Sequence, residues 1–178
     1  MNPLALINKY YDENSPLYEL LVNHGRQVAH KALEVVKRHR ELMLDADFVY
    51  EAAMLHDIGI FLTDAGNIGC FGSYPYVCHG YLGAELLRRE GVYRHALVCE
   101  RHTGVGISLD EIKENGLPLP HRDMLPLSLE EQLICYADKF FSKSKPDAEK
   151  PVGKIVKGIG KRGNASIERF VAWHNLFS

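Results

Sequence analysis

The sequence predicts an all-α, single-domain helical bundle. Apolar residues recur at helical spacing along most of the chain, and no alternating strand series of note interrupts them. Serine, aspartate and proline stand where helices are expected to begin, and glycine where they are expected to end. A chain of 178 residues with 46% hydrophobic content can bury one sizeable core, so we expect a single domain over residues 1–178.

The N-terminal part is predicted to contain a short helix over residues 3–11 and a long one. Ser15 followed by Pro16 is a typical helix start, and the apolar pattern continues toward Arg40. His24 lies inside the apolar stripe of this long helix. Taken alone, such a histidine is more often a core residue bonded to a backbone carbonyl than a metal ligand.

The next helix ends with an imidazole and a carboxylate side by side, His56 and Asp57. Asp45 or Asp47 is expected to cap it, and Gly59 to end it. Adjacent helical residues point about 100° apart, so the pair can hold an ion only from the rim of a cleft. The alternative is an ordinary capped helix end with an exposed carboxylate.

Two further helices carry more histidines. Residues 63–75, with three glycines, are predicted to be a loop that flanks or covers the site. A helix over residues 76–90 aligns His79 with its apolar face, and the following helix does the same for His95 and His102. Spacing does not separate these last two. His102 stands beside a glycine turn, where a ligand can approach closely.

The last third of the chain contains two capping-box patterns, which begin at Ser108 and Ser128. The helix after Ser128 places Asp138 among apolar residues. Because burying an unpaired carboxylate would cost several kcal/mol, this side chain needs a cation or strong donors. Amphipathic helices over residues 151–177 are expected to pack on the bundle. The G-x-G-x-x-G string at residues 158–163 follows no strand, which argues against a dinucleotide fold.

Composition restricts the function further. A net charge of −2 and a pI near 6.5 give no general attraction to nucleic acid or membranes, so we expect neither as a partner, and any phosphate affinity must come from a local site. No apolar run approaches a membrane span and no signal peptide pattern begins the chain, which predicts a cytoplasmic protein. Four scattered cysteines argue against a zinc ribbon and against disulfides.

Six polar residues are predicted to point inward or to stand at helix ends, and together they offer four imidazoles and two carboxylates. Such donors suit iron or manganese, with zinc, cobalt and nickel as further candidates, better than magnesium. Six ligands fit two ions about 3.5–4 Å apart with a bridging carboxylate and a water or hydroxide between them. The predicted first set is His24, His56, Asp57 and Asp138, and the second is His79, His102 and the bridging Asp57.

The order of these residues resembles the HD-domain superfamily of metal-dependent phosphohydrolases in its six-ligand, two-metal form. The resemblance covers roughly residues 20–141. More closely, the chain resembles an uncharacterised bacterial and archaeal group of HDIG domains. The stretches that carry this resemblance are His56-Asp-Ile-Gly-Ile-Phe-Leu-Thr63, His79-Gly-Tyr-Leu-Gly-Ala-Glu85 and Leu129-Glu-Glu-Gln-Leu-Ile-Cys-Tyr-Ala-Asp-Lys-Phe-Phe-Ser-Lys143.

The resemblance implies an HD-domain bundle with its metal-site core at about residues 17–143. It implies hydrolysis of a phosphomonoester, phosphodiester or anhydride in a nucleotide-like small molecule by a metal-bridging hydroxide. Asp57, His79 and His102 are the predicted catalytic residues. Two alternatives remain: a diiron oxygenase of the HD type that cleaves a C–C or C–P bond, and a non-catalytic domain stabilised by metal. A homodimer is compatible with the sequence.

One position departs from the dinuclear members of the family. Many of them, including the HD-GYP cyclic-dinucleotide phosphodiesterases, carry a lysine where this chain has Ile60, and the chain has no Gly-Tyr-Pro signature. Cleavage of cyclic dinucleotides is therefore not expected, and another cation must meet the substrate phosphate. Residues 139–162 contain eight lysines and arginines. Lys139, Lys143 and Arg101 are the candidates, against the alternative of a solvated basic face.

Overall fold

The computed structural model describes residues 1–144 and 148–178. Lys145 and Asp147, two charged residues of the predicted basic region, lie outside these ranges. The described residues form nine α-helices and one small sheet, and none of these helices has both the length and the apolarity to cross a membrane. The helices are α1 (Pro3–Ile7), α2 (Pro16–Arg38), α3 (Ala46–Leu55), α4 (His79–Arg89), α5 (Tyr93–Arg101), α6 (Leu109–Glu114), α7 (Leu129–Asp138), α8 (Val152–Ile159) and α9 (Asn164–Phe177).

The prediction of an all-α bundle is confirmed, and the helix starts follow the local capping chemistry. The Ser15 side chain accepts a hydrogen bond from the Tyr18 N–H at the start of α2. Asp45, rather than Asp47, caps α3 by accepting from the Phe48 N–H. These bonds satisfy N–H groups that have no partner within the first turn of a helix.

The two capping-box patterns differ in outcome. The box at Ser108 is complete, with the Glu111 side chain accepting from the Ser108 N–H. At the second pattern Ser128 accepts from the Glu131 N–H, but the Glu131 carboxylate accepts from the Leu127 N–H instead of closing the box. The same carboxylate also pairs with an arginine of α5, which draws it away from Ser128.

The prediction of a plain loop over residues 63–75 was wrong. This segment forms three short strands, β1 (Thr63–Ala65), β2 (Cys70–Phe71) and β3 (Tyr74–Pro75), in the order β2-β1-β3. Strand β1 is antiparallel to β2 and parallel to β3. Strands of two or three residues are too short to display the alternation by which a sequence indicates a strand.

Most of the buried apolar residues belong to two clusters. One joins α2, α3 and α7 with the C-terminal helices, through residues such as Val28, Ile134, Phe170 and Phe177. The other joins the N-terminal helix to α2, α3, α4 and α5. Residues of α8 and α9 therefore pack on the bundle, while the division of the chain into a single domain over residues 1–178 stays a prediction.

Helix α4 lies unusually close to the segment that follows α3. A Cβ atom on Gly59 would lie 2.3 Å from the carbonyl oxygen of His79 and 2.4 Å from the backbone nitrogen of Gly83. Backbone can approach backbone here because Gly59 has no side chain. This approach brings the first residue of α4 beside the end of α3.

Candidate metal centre

The six predicted ligands converge inside the bundle, and each of them is buried. Five of the six stand at or just beyond a helix end, so that side chains of different helices meet where the backbones turn. They are His24 within α2, His56 and Asp57 directly after α3, His79 at the first position of α4, His102 directly after α5, and Asp138 at the last position of α7.

Four of these side chains form the first group, His24, His56, Asp57 and Asp138. Nε2 of His24 lies 2.9 Å from Oδ1 of Asp138 and 3.2 Å from Oδ2 of Asp57. Nε2 of His56 lies 2.9 Å from the same Asp57 oxygen and 3.6 Å from Oδ1 of Asp138. One donor atom of each side chain thus lies within 4.8 Å of all the others, close enough for a single ion.

The other oxygen of Asp57 faces the second group, which contains His79 and His102. Nε2 of each histidine lies 3.3 Å from Oδ1 of Asp57, and the two Nε2 atoms lie 3.1 Å apart. The two carboxylate oxygens therefore face different sets of imidazoles. This is the arrangement of a carboxylate that bridges two ions.

Backbone carbonyls fix the ring orientation of three of the histidines. Nδ1 of His56, His79 and His102 lies 2.6, 2.6 and 2.7 Å from the carbonyl oxygen of the residue three positions earlier. Each Nδ1–H therefore donates to the backbone, so Nε2 points into the cluster and offers its lone pair there whenever the ring carries no second proton. This is the tautomer that a metal ligand requires.

The second group has the chemistry of a cation site. Burial lowers the pKa of His79 to about 3 and lowers the pKa of His102, so both rings are neutral near pH 7. With both Nδ1–H groups committed to carbonyls, two Nε2 lone pairs and a carboxylate oxygen face one another. Three acceptors at this separation repel unless a cation lies between them. The donor set thus fits a divalent transition metal.

The first group has two carboxylates, whereas the second has only the shared one. Burial raises the pKa of Asp57 and of Asp138, but neighbouring positive charges outweigh it and hold both carboxyls well below their usual range. Burial lowers the pKa of His56, yet the two carboxylates outweigh it and raise this pKa to about 9. The group accordingly attracts positive charge strongly.

Two of the three predicted phosphate-binding cations lie at this first group. Nζ of Lys143 lies 2.5 Å from Oδ2 of Asp57, and Nζ of Lys139 lies 2.8 Å from Oδ2 of Asp138; the two lysine side chains are only 12% and 14% exposed. Arg101 is placed elsewhere. Its guanidinium donates to the Glu131 carboxylate at 2.9 and 3.1 Å and does not line the cavity above the cluster.

The structure also separates the two histidines that spacing could not. His95 lies outside the cluster, with its Nε2 3.0 Å from a carboxylate oxygen of Glu51. Sequence analysis missed Tyr76, whose ring stacks on His79 with a centroid separation of 4.6 Å. Its carbonyl also accepts the His79 Nδ1–H. The signal in the sequence was an aromatic residue three positions before a candidate ligand.

Four residues of the cluster, His24, His79, His102 and Asp138, line a cavity of about 720 Å³. Its walls come from the small sheet, the turn after α5, the end of α7, and α8. Several wall residues are apolar, and three lysines add positive charge. The apolar wall residues are Ala65, Ile68, Val77, Phe141, Ile155 and Ile159, and the lysines are Lys139, Lys143 and Lys150.

Several proteins are similar to this chain in amino-acid sequence. An uncharacterized protein of Methanocaldococcus jannaschii is 32% identical over 86% of this chain and 85% of its own length. Two tRNA (cytidine(56)-2'-O)-methyltransferases, from Thermoplasma volcanium and Picrophilus torridus, are 28% and 30% identical over 90% and 80% of this chain. The chain spans only 42% and 40% of those two proteins. No solved structure matches it significantly.

The model of the HD domain family matches residues 21–142, which include all six residues of the cluster. This match covers more than half of the chain. The chain therefore belongs to the HD domain family, whose members are generally metal-dependent phosphohydrolases.

Proposed function

We propose that this protein is a metal-dependent phosphohydrolase that acts on a nucleotide-like organic phosphate. The observation that carries the proposal is the position of Asp57. Its two oxygens face two separate sets of imidazoles, histidines of both sets line a cavity, and two lysines that contact the cluster line the same cavity. A metal pair combined with cationic side chains suits the charge that phosphoryl transfer develops.

Each of the two groups would hold one ion. His24, His56 and Asp138 would hold the first, His79 and His102 the second, and Asp57 would bridge them. Two divalent ions supply Lewis acidity toward a phosphoryl oxygen and make hydroxide available near neutral pH.

The side chains around the ions would bind and orient the substrate. Lys143 and Lys139 would contact phosphate oxygens; the support for this role is that their ammonium groups lie at the carboxylates of the cluster. Burial lowers the pKa of Lys143, but the charge of Asp57 and further neighbouring groups outweigh it and keep this lysine protonated.

The walls favour an organic substrate over inorganic phosphate. Phe141, Ile155 and Ile159 form an apolar surface in the cavity. A sugar or base could pack there and shield the reacting phosphate from bulk water.

We do not assign methyl transfer to this chain on the strength of its two methyltransferase relatives. The chain spans about two fifths of each of them. Its glycine-rich string at residues 158–163 begins in the last turn of α8 and continues into a 3-10 turn, so the element directly before it is a helix and not a strand. A dinucleotide or cofactor loop of the strand–turn–helix type is therefore not formed there.

An oxygenase would use the same ligands, so the experiment has to separate two chemistries. Protein treated with chelator is reloaded with Mn²⁺ or Fe²⁺ and assayed, with and without oxygen, against a panel of nucleotides and other phosphate esters. We expect phosphate release that does not depend on oxygen. His102→Ala should lower it by about 10²-fold or more, whereas His95→Ala, which alters a histidine outside the cluster, should retain it. Oxygen consumption without phosphate release would contradict the proposal.

A further inference from the structure

A row of exposed lysines lies along α8, one wall of the cavity, and the turn that follows it. Lys154, Lys157 and Lys161 recur at spacings of three and four residues and are exposed; we call them the α8 lysine row. We propose that the row binds successive phosphates of a single-stranded oligonucleotide whose phosphorylated end enters the cavity. The inference rests on the proposed function for the reacting end, whereas binding along the row can be measured separately.

The geometry of the row suits a chain of regularly spaced charges. Lys154 and Lys157 lie in α8, and Lys161 lies in the 3-10 turn directly after it. Residues three and four apart lie on one face of a helix, so the three side chains follow one another along that face. With a rise of about 1.5 Å per residue, Lys154 and Lys161 are separated by about 10 Å. A stacked nucleic-acid strand carries one phosphate per about 3.4 Å, so the row matches about three phosphates.

The charge of the row is not neutralised by nearby carboxylates. Residues 150–167 contain five lysines and arginines and no acidic residue, although the whole chain has a net charge of −2. Among the described residues, no carboxylate lies within ion-pair distance of the row. Lys9 and Lys31, by contrast, each pair with a glutamate. The row is therefore a local source of positive potential.

The row is continuous with the cavity. Ile155, Gly158 and Ile159 of α8 line one wall, and Lys150, just before the helix, lines it as well. A Cβ atom on Gly158 would meet nothing within 4 Å, so the backbone is open at this point. A chain could pass from the lysines at the cluster, over Gly158, to the row.

The cavity and the helix favour an oligonucleotide over other polyanions. Inorganic polyphosphate has no apolar part to match the surface formed by Val77, Phe141 and Ile155. An anionic membrane would require apolar side chains that insert, yet Ile155 and Ile159 of α8 are buried in the core. A mononucleotide would fill the cavity and leave the row without a ligand.

The test compares two triple variants of equal charge. One is Lys154→Gln/Lys157→Gln/Lys161→Gln, and its control is Lys37→Gln/Arg40→Gln/Lys113→Gln, at positions far from α8 in the sequence. The probes are fluorescent deoxyoligonucleotides of one to six residues, phosphorylated at the 5′ or 3′ end, and the readout is anisotropy at several salt concentrations. Hydrolysis of a mononucleotide is measured in parallel.

We expect wild-type affinity to rise with probe length up to about four residues and then to level off. Loss of the row should weaken binding of the tetranucleotide at least about tenfold and reduce the slope of log K against log salt by about 2, at about 0.7 per phosphate contact. Mononucleotide hydrolysis and the control variant should change less than about twofold, within the range of ordinary surface substitutions.

Unchanged tetranucleotide binding in the row variant would overturn the inference, and so would an equal loss in the control. Equally tight binding of inorganic polyphosphate or of vesicles of anionic phospholipid would overturn the assignment to an oligonucleotide. If no phosphate ester is hydrolysed while the row-dependent binding is present, the proposed function fails and the binding surface stands.

Discussion

The two halves of the cluster share one carboxylate but differ in charge. The first group contains two carboxylates, Asp57 and Asp138, and two lysines contact it. The second group contains one carboxylate oxygen, from Asp57, and two neutral imidazoles. Since carboxylates attract a divalent ion more strongly than neutral rings, the first group should bind metal more tightly. The second should depend on the first, because both need Asp57 correctly oriented.

The largest effect is expected at the shared carboxylate. Asp57→Asn should remove metal binding from both groups and lower phosphohydrolase activity at least about 10³-fold, as for residues that act as a unit. Elemental analysis and kcat/KM measure the two effects. Asp110→Asn, which alters a carboxylate in the first turn of α6, is the matched control and should bind two ions. Loss of only one ion in Asp57→Asn would show that the carboxylate does not bridge.

Removal of an imidazole from the second group should abolish metal binding there and leave metal bound to the first group. His102→Ala should leave about one tightly bound ion per chain and lower activity by about 10²-fold or more. His95→Ala should bind two ions, because its ring pairs with Glu51 outside the cluster. Loss of both ions in His102→Ala would contradict the independence of the first group.

The pH dependence of stability should differ between metal-free and metal-loaded protein. The folded pKa of His56 is raised to about 9 from 6.5, so its proton stabilises the fold fully below pH 6.5, and this contribution is lost as pH rises to about 9. Chelator-treated protein should lose up to about 3 kcal/mol of unfolding free energy over this range, because a tenfold change in proton affinity corresponds to about 1.4 kcal/mol. Metal-loaded protein should not, because a metal replaces that proton.

Denaturant unfolding at several pH values measures this difference. The two forms are compared in the same buffers, with the chelator removed before the measurement. Parallel pH profiles for both forms would mean that no metal ion competes with the proton on His56.

The smallest expected effect concerns the lysine nearest to the shared carboxylate. The Lys143 ammonium and a divalent ion compete for Oδ2 of Asp57, so Lys143→Met should raise the affinity of the first group for metal by about tenfold, or about 1.4 kcal/mol. It should also raise KM for a phosphate substrate. Lys143→Arg keeps the charge and should change both less. Calorimetric titration with Mn²⁺ alone detects the first effect, and an unchanged affinity would contradict it.

Much of the fold and of the site was predictable because it depends on local patterns. The helix starts at Ser15 and Asp45 follow from capping chemistry that acts over three residues. His24 was visible as a polar residue in an apolar stripe, and Asp138 as a carboxylate that burial would otherwise penalise. The six chosen residues lie together in the structure, and their role as ligands stays a prediction.

The remaining features depend on contacts between distant segments, which no local pattern contains. His95 and His102 occupy one stripe; the glycine turn favoured His102, but the partner of His95, the Glu51 carboxylate of α3, could not be read from any local pattern. The second capping box fails because Arg101 attracts the Glu131 carboxylate. The net charge of the chain likewise gives no sign of the α8 lysine row, because acidic residues in other parts of the sequence balance its positive charge.

A metal titration decides whether six side chains hold two ions through one bridging carboxylate. Chelator-treated wild-type protein, His102→Ala and Asp57→Asn are titrated with Mn²⁺, and bound metal is counted per chain. We expect two ions in two steps for wild type, one for His102→Ala and none for Asp57→Asn. Equal stoichiometry in all three proteins would show that the two groups do not share an ion-bridging Asp57.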